Sequence, residues 1–295
     1  MRYTLRQLEV FLATARHENI SRAADDLAMS QSAASGSLKE LETQFAVKLF
    51  DRVGKRLHLS ELGNQLRPRA ENLLAQARDF EQALVNQDIA GRLQVGATLT
   101  IGNYLAVGMI AQFKHRHPGT DIALSVANTE NIAGRVASFE LDMGLVEGEV
   151  NHPDLQAQHW RKDQLVVFAS PDHPLCGSPP LQDETLLTLP WIVREPGSGT
   201  RQTFERAMRG ILPDLDIAME LQHTEAIKRA VESGLGVGCL SGISLEDAFK
   251  RGSLVPLQVA GRDFSRDLYL ITHRKKFHGA ALGQWMDLCL ETTAA

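Results

Sequence analysis

Three short sets of side chains in this 295-residue chain carry chemistry that their spacing can focus. Gln31, Ser32 and Ser35, with Lys39 one turn on, set an amide, two hydroxyls and an ammonium along one face of a segment with helical periodicity. A glutamine amide pairs in two-pronged fashion with adenine, and serine hydroxyls suit several bases or a phosphate oxygen. Arg52, Lys55 and Arg56 flank Gly54, which places three cations near the tip of a short hairpin, in reach of backbone phosphate or a minor groove. The third set is Arg194, Gly197, Ser198, Gly199, Thr200 and Arg201. Glycines let backbone N–H groups turn inward, Ser198 and Thr200 add hydroxyl donors, and either arginine can add full charge where a helix begins. That combination is an anion site. A plain turn followed by an N-cap would read the same way at this point.

The surrounding elements decide how these sets are held. Ser21 is placed to cap a first short helix carrying Ala23, Ala24, Leu27 and Ala28, Met29 and Ser30 form a turn, and a second helix follows over residues 31–45. Its apolar positions are Ala34, Leu38, Leu41 and Phe45, so Gln31, Ser32 and Ser35 fall on the outer face. Such a hairpin alone is as readily a packing unit as a groove-reading one. The flanks separate the two readings. Leu5, Leu8, Phe11, Leu12 and Ala15 make a preceding amphipathic helix, and residues 49–60 read as a β-hairpin that returns Leu57 and Leu59 to the core. Together these predict a winged helix-turn-helix domain over residues 1–60, aimed at double-stranded DNA.

From Leu62 the apolar residues Leu66, Ala70, Leu73, Ala77, Phe80 and Leu84 follow a near-heptad spacing. This predicts a linker helix over residues 61–88 that pairs with a second copy. Pro68 is the one residue against it. A hinge is expected at residues 89–91. Beyond it, strands and helices alternate as a parallel α/β unit: strands near 93–97, 122–126 and 141–146, then 165–169, 191–193, 218–221 and 268–271. Ligands in open α/β sheets sit beyond the carboxyl ends of strands, which selects Thr98, Thr100 and Thr129 in the first half and the glycine-hydroxyl loop in the second. Glu147 is an awkward neighbour for an anion, paired with an arginine or turned away.

The N-terminal run LRQLEVFLATARHENISRAADDLAMSQSAASGSLKELETQFAVKLFDR, followed by LSELG, resembles the LysR-type transcriptional regulators, and the later α/β half fits the same pattern. The resemblance implies a two-lobed, periplasmic-binding-protein-like effector domain over residues 89–295, crossing between lobes near 159–163 and 261–267. Lobe one would take residues 91–160 and 268–295, and lobe two residues 161–267. It also implies a homodimer or homotetramer, contact with RNA polymerase, and no catalytic residues or metal. One departure is Gly36, where the family often has a long polar or basic side chain; glycine inside a helix costs about 1 kcal/mol and offers no base contact. The runs REPGSGTR and TLTIGNYL resemble the CysL/YeiE branch, which implies a small oxyanion effector, sulfite foremost, and a link to sulfur metabolism.

Composition agrees with a cytoplasmic regulator. No apolar run approaches the ~18 residues of a membrane span. The net charge is −5, carried entirely by the chain beyond residue 90, while the N-terminal part is neutral with its cations clustered between Arg52 and Arg69. DNA binding should therefore depend on salt without being strongly non-specific. The odd cysteine count, at Cys176, Cys239 and Cys289, has no metal-ligand spacing and fits a reducing compartment. A thiol sensor, a regulator whose C-terminal half only assembles subunits, and a cytoplasmic solute-binding protein are the alternatives. Gly234, Gly236 and Gly238 imitate a dinucleotide fingerprint, but Cys239 replaces its third glycine and the segment follows a helix.

Overall fold

The computed structural model describes residues 2–54, 56–85 and 91–292. Lys55, the end of the expected linker helix and most of the expected hinge lie outside the described residues. The chain divides into two compact units: the residues up to Gly91 with Arg274–Gly283, and Arg92–His273 with the residues from Gln284 onward.

In the first unit, α1 (Leu5–His17) opens with a capping box, Gln7 N donating to Thr4 Oγ1 at 3.1 Å and Thr4 N to Gln7 Oε1 at 2.9 Å. For α2 (Ile20–Asp26) the cap is Asn19, not Ser21: its Oδ1 accepts from the backbone N–H of Ser21 and Arg22. An amide oxygen one residue before the helix reaches two orphan donors, while Ser21 is already helical. The turn begins earlier than expected, with Ala28 in the left-handed region at φ 51°. Ser30 caps α3 (Gln31–Phe45) as its sequence position predicts, accepting from Ala33 N at 3.2 Å.

β1 (Phe50–Val53) and β2 (Arg56–Leu59) pair antiparallel, with Gly54 at φ 62° in the turn. Phe11, Leu12, Ala24, Ala34, Leu38, Leu41 and Phe50 close the core beneath them. Phe45 does not join them; it is 41% exposed.

Helix α4 (Glu61–Val85) continues through Pro68. Its apolar row has two destinations. Leu62, Leu66, Ala70 and Leu74 pack into the winged core, whereas Leu73, Phe80 and Leu84 are 42%, 65% and 72% exposed. The segment after the last strand lies along the same helix: Asn72 Oδ1 accepts from Phe277 N at 2.8 Å, its amide donates to the Lys275 carbonyl, and Asp79 accepts from Ala280 N at 3.3 Å.

Beyond α4 the chain runs β3 (Gly91–Ala97), α5 (Leu99–Ile101), a π-helical turn (Gly102–Ala106), α6 (Val107–Arg116), β4 (Thr120–Val126), α7 (Thr129–Ala137) and β5 (Met143–Glu147). It continues with β6 (Leu155–Ala169), α8 (Asp183–Leu186), β7 (Pro190–Arg194), α9 (Gly199–Ala207), β8 (Asp216–Leu221), α10 (Thr224–Glu232), β9 (Val237–Ser241), α11 (Gly242–Arg251), β10 (Val255–Leu257), β11 (Ser265–His273) and α12 (Ala280–Glu291). The strand order is β4-β3-β5-β11-β6-β9-β7-β8, with β10 beside β6. β3 pairs parallel with β5, and β7 with both β8 and β9, and every residue of β5 and β9 is buried, as expected for strands covered on both faces.

Two lobes share this sheet. The first part of β6 pairs with β11, from Ser265 opposite Gln164 to His273 opposite Leu155, and its last residues pair with β9 and β10. The crossing therefore falls at residues 164–165 and 264–265, where Leu165 N donates to Phe264 O at 3.0 Å. Gly234 and Gly236 join α10 to β9 and serve no dinucleotide turn.

Candidate functional site

The first candidate surface is the N-terminal end of α3 and the hairpin beside it. Gln31, Ser32, Ser35 and Lys39 are all exposed, as are Arg52 and Arg56; Lys55 lies outside the described residues. Ser32 Oγ lies 3.0 Å from Ser30 Oγ, so the cap hydroxyl fixes its neighbour before any ligand arrives. Arg56 makes a 3.7 Å contact with Glu18 and stays 73% exposed. Gly36 is exposed with open space beside it.

The second is a buried ionic cluster between β5, β11 and the start of α9. Glu147, at the end of β5, is buried; its Oε1 accepts from Thr100 N at 2.9 Å, and its Oε2 accepts from Thr200 Oγ1 at 3.1 Å and from Arg266 Nη1 at 2.8 Å. Arg266 also meets Asp163 Oδ2 at 2.7 Å and Thr200 Oγ1 at 2.9 Å, with a long 3.5 Å contact to Thr100 Oγ1. Burial pushes the Glu147 carboxyl up; the Arg266 guanidinium, the Thr100 and Thr98 donors and the Arg194 charge outweigh it, and the net direction is down. The Thr98 hydroxyl, 2% exposed, lies close enough to favour the ionised carboxylate yet makes no hydrogen bond of normal geometry. Glu147 thus sits where the glycine-hydroxyl loop and the first helix of lobe one both offer donors. A carboxylate of the protein itself accepts from those donors.

The cation of this site is Arg266, which the residue-level reading did not select. The two arginines it did select are used elsewhere. Arg194 is 2% exposed and paired in bidentate fashion with Glu195, at 2.7 and 2.9 Å. Arg201 reaches Glu205 at 2.6 Å, Glu220 at 3.0 Å and the Arg194 carbonyl at 3.0 Å. Both partnerships are local, with carboxylates one and four residues away in sequence in the closest cases, and satisfy each guanidinium without the cleft. The signal for Arg266 was positional: it lies inside the segment expected to cross between lobes, and a crossing segment passes the cleft floor.

The glycine-hydroxyl loop closes directly on lobe one. Gly199 N donates to Thr129 Oγ1 at 3.1 Å, whose hydroxyl donates to Glu147 O at 2.9 Å, and Glu130 N donates to Gly197 O at 3.1 Å. Gly197 adopts φ 81°, and a Cβ on Gly199 would stand 1.9 Å from Glu147 O, so only glycine permits this approach. Ser198 caps α9, its Oγ facing Arg201 N at 3.5 Å. Thr98, Thr100, Thr129, Gly197, Ser198, Gly199 and Thr200 therefore lie together, while Arg194 and Arg201 turn to carboxylates of their own.

Cys239 and Cys289 are buried, and burial pushes both thiols far up, away from reactive thiolates. Cys176 Sγ donates to the Ser170 carbonyl at 3.3 Å. No group of histidine, cysteine and acidic residues suited to a metal ion occurs among the described residues, and none of their helices is long and apolar enough to cross a membrane.

A winged helix-turn-helix followed by a long helix and a two-lobed α/β unit defines a DNA-binding regulator with a ligand-sensing domain, and the chain belongs to the LysR family of bacterial transcriptional regulators. Residues 5–64 match the model of the bacterial regulatory helix-turn-helix protein, lysR family, and residues 86–294 match that of the LysR substrate binding domain. The chain is 43% identical to the HTH-type transcriptional regulator YeiE of Escherichia coli, covering 98% of each. It is 33% identical to the RuBisCO operon transcriptional regulator of Allochromatium vinosum over 100% of this chain and 98% of that one. Among solved structures it is similar to full-length OxyR from Pseudomonas aeruginosa (TM-score 0.75, 21% identity, 99% of this chain and 95% of that one), a likeness of fold. It is also similar to the Synechocystis CcmR regulatory domain in complex with 2-PG (TM-score 0.64, 29% identity, 69% and 97% covered). The protein is a DNA-binding transcriptional regulator with an effector-binding domain, and not an enzyme.

Proposed function

We propose that this regulator senses a small inorganic oxyanion, sulfite first, in the cleft between its lobes, and that occupancy of the cleft controls transcription of genes tied to sulfur metabolism. The observation that carries the reading is the cradle around Glu147: a backbone N–H, a threonine hydroxyl and a buried guanidinium converge on one carboxylate. Those donors suit an oxyanion equally well, and an apolar or cationic ligand would leave them unpaired at roughly 1–3 kcal/mol each. The Thr98 hydroxyl, without a hydrogen bond, is a further donor held ready. An arriving anion competes with Glu147 for Arg266, so binding must rearrange the cleft floor and cannot simply fill a void. The relatives support the family role, and the likeness of the two sequence runs to the CysL/YeiE branch supports the choice of sulfite.

On the DNA side, Gln31, Ser32, Ser35 and Lys39 read the major groove, and Arg52, Lys55 and Arg56 hold phosphate or a minor groove. Two copies pair through the exposed row Leu73, Phe80 and Leu84 on α4, which puts two reading heads on one site.

Titration calorimetry on the full-length protein tests the effector reading, with sulfite, sulfate, phosphate and nitrate as probes. Sulfite should bind most tightly. Thr200→Ala should weaken it by about 1 kcal/mol and Arg266→Gln by more. If no oxyanion binds, or if Arg266→Gln binds sulfite as the parent does, Glu147 is a permanent internal counterion and the cleft is not an oxyanion sensor.

A further inference from the structure

Between Leu99 and Arg116 the first helix of lobe one is interrupted by the π-helical turn Gly102–Ala106. An extra residue per turn re-aims the side chains it carries, and such turns are concentrated at working sites. Here the re-aimed residue is Tyr104. Its hydroxyl donates to Glu225 Oε1 at 2.8 Å, on α10 of the other lobe, and accepts from Lys228 Nζ at 3.2 Å. Lys228 also donates to Ser244 O at 3.1 Å and lies 2.5 Å from Glu225 Oε1, with its side chain only 8% exposed. An ammonium has three N–H donors, and burying it is costly unless all three are taken. Glu225, Ser244 and Tyr104 take them, and Tyr104 is the only one of the three supplied by lobe one.

The same lysine is tied to the cleft floor. Ser244 Oγ donates to Ser241 O at 2.8 Å, Ser241 Oγ donates to Asp163 Oδ1 at 2.9 Å, and Asp163 Oδ2 holds Arg266 at 2.7 Å. Ser241, Ser244 and Arg266 are each at most 3% exposed. From Arg266 the path returns through Glu147 to Thr100 N, four residues before Tyr104. A closed circuit of polar contacts, buried at Glu147, Arg266 and Ser244 and partly buried at Asp163 and Tyr104, therefore leaves lobe one at Glu147 and re-enters it at Tyr104. Beside the Tyr104 contact lies a polar cavity of about 450 Å³, lined by Glu225, Lys228, Arg229, Glu232 and Arg251, which gives the phenol room to leave.

We propose that Tyr104 and Lys228 form a latch that keeps the two lobes together, and that the latch is coupled through Ser244, Ser241 and Asp163 to the Glu147–Arg266 pair. Closing the lobes satisfies the buried ammonium; opening them leaves one of its donors unpaired. Any event that moves Arg266 disturbs the latch, whichever effector causes it.

Hydrogen exchange by mass spectrometry on the full-length, ligand-free protein tests this without reference to the effector. Tyr104→Phe removes one hydroxyl, and segments 99–106 and 224–232 should both exchange about fivefold faster, the loss of one net hydrogen bond, while β5 and β9 keep their protection. Lys228→Met should accelerate the same two segments, and the double variant should add little to either single one. Glu147→Gln, made at the far end of the circuit, should also accelerate segment 224–232. The latch is overturned if Tyr104→Phe leaves segment 224–232 at the parent rate, whatever happens in lobe one. The coupling is overturned if Tyr104→Phe loosens that segment and Glu147→Gln does not. Should Lys228→Met fail to fold, the two conservative variants still decide both points.

Discussion

Arg266 Nη1 and Glu147 Oε2 stand 2.8 Å apart with side chains 0% and 2% exposed, at residues 119 positions apart in sequence. The pair sits where β11 leaves the crossing and β5 ends, so one guanidinium is shared between the floor of the cleft and the segment that joins the lobes. Asp163 holds its other side at 2.7 Å. Two carboxylates therefore share one buried cation.

Removing the cation should be severe. Arg266→Met would strand two buried carboxylates, and denaturant unfolding should show a loss of about 3–5 kcal/mol. Glu147→Gln keeps the shape and leaves Arg266 with Asp163, so a smaller loss is expected.

Acid should find the same pair. The folded Glu147 carboxyl is held below its ordinary value of 4.5. A depressed pKa gives stability that is fully present above 4.5 and is lost as pH falls from there through the folded value. Unfolding midpoints measured from pH 6 down to pH 3, a range of about three units chosen around the ordinary carboxylate value, should fall less steeply for Glu147→Gln than for the parent. Parallel curves would mean that Glu147 contributes nothing to the acid limb.

Gly199→Ala tests the direct closure of the loop on lobe one. A Cβ 1.9 Å from the Glu147 carbonyl cannot be accommodated by a side-chain adjustment, because the opposing atom is backbone. The variant should fold with its lobes held apart, and sulfite affinity measured by calorimetry should drop about tenfold or more, the equivalent of one 1.4 kcal/mol contact. Parent-like affinity would place the effector elsewhere.

For DNA, Gln31→Ala should cost about 1–3 kcal/mol at one base step and relax specificity there, while Arg56→Ala should weaken all sequences and reduce the salt slope by about 1. Gel shifts on operator and random duplexes at several salt concentrations separate the two. Equal losses from both variants on both duplexes would contradict the division of labour.

Leu73→Asp and Phe80→Asp place a carboxylate on surface that the single chain leaves 42% and 65% exposed, so the fold itself should tolerate them. In a paired helix the same charge would be buried without a partner, which is strongly unfavourable. Sedimentation should then show loss of dimer together with loss of DNA affinity; a variant still dimeric through this helix would refute the pairing.

The winged domain was legible in the sequence because what shapes it is local. Helical periodicity assigned Leu38 and Leu41 to the core, Ser30 caps from one residue away, and Gly54 marks the turn of the hairpin. Where local signals competed the reading slipped by a residue or two, as at the cap of α2, because Asn19 and Ser21 are both good caps and only the backbone path chooses. The apolar row of α4 was legible as a row, but its division was not. That Leu66 and Ala70 face the winged core while Phe80 faces outward depends on where that core ends.

The sequence by itself determined the order of the elements, the family, the outward face of α3 and the convergence of Thr100, Thr129 and the glycine-hydroxyl loop, since strand ends and helix starts are set within a few residues. Only the tertiary structure decided which charges meet. Arg194 and Arg201 find carboxylates close by in sequence, whereas Arg266 meets Glu147 and Asp163 across more than a hundred residues of chain. Charge pairing depends on distance and burial, and both are fixed by how β6 and β11 cross between the lobes, a long-range arrangement that no spacing within the chain expresses.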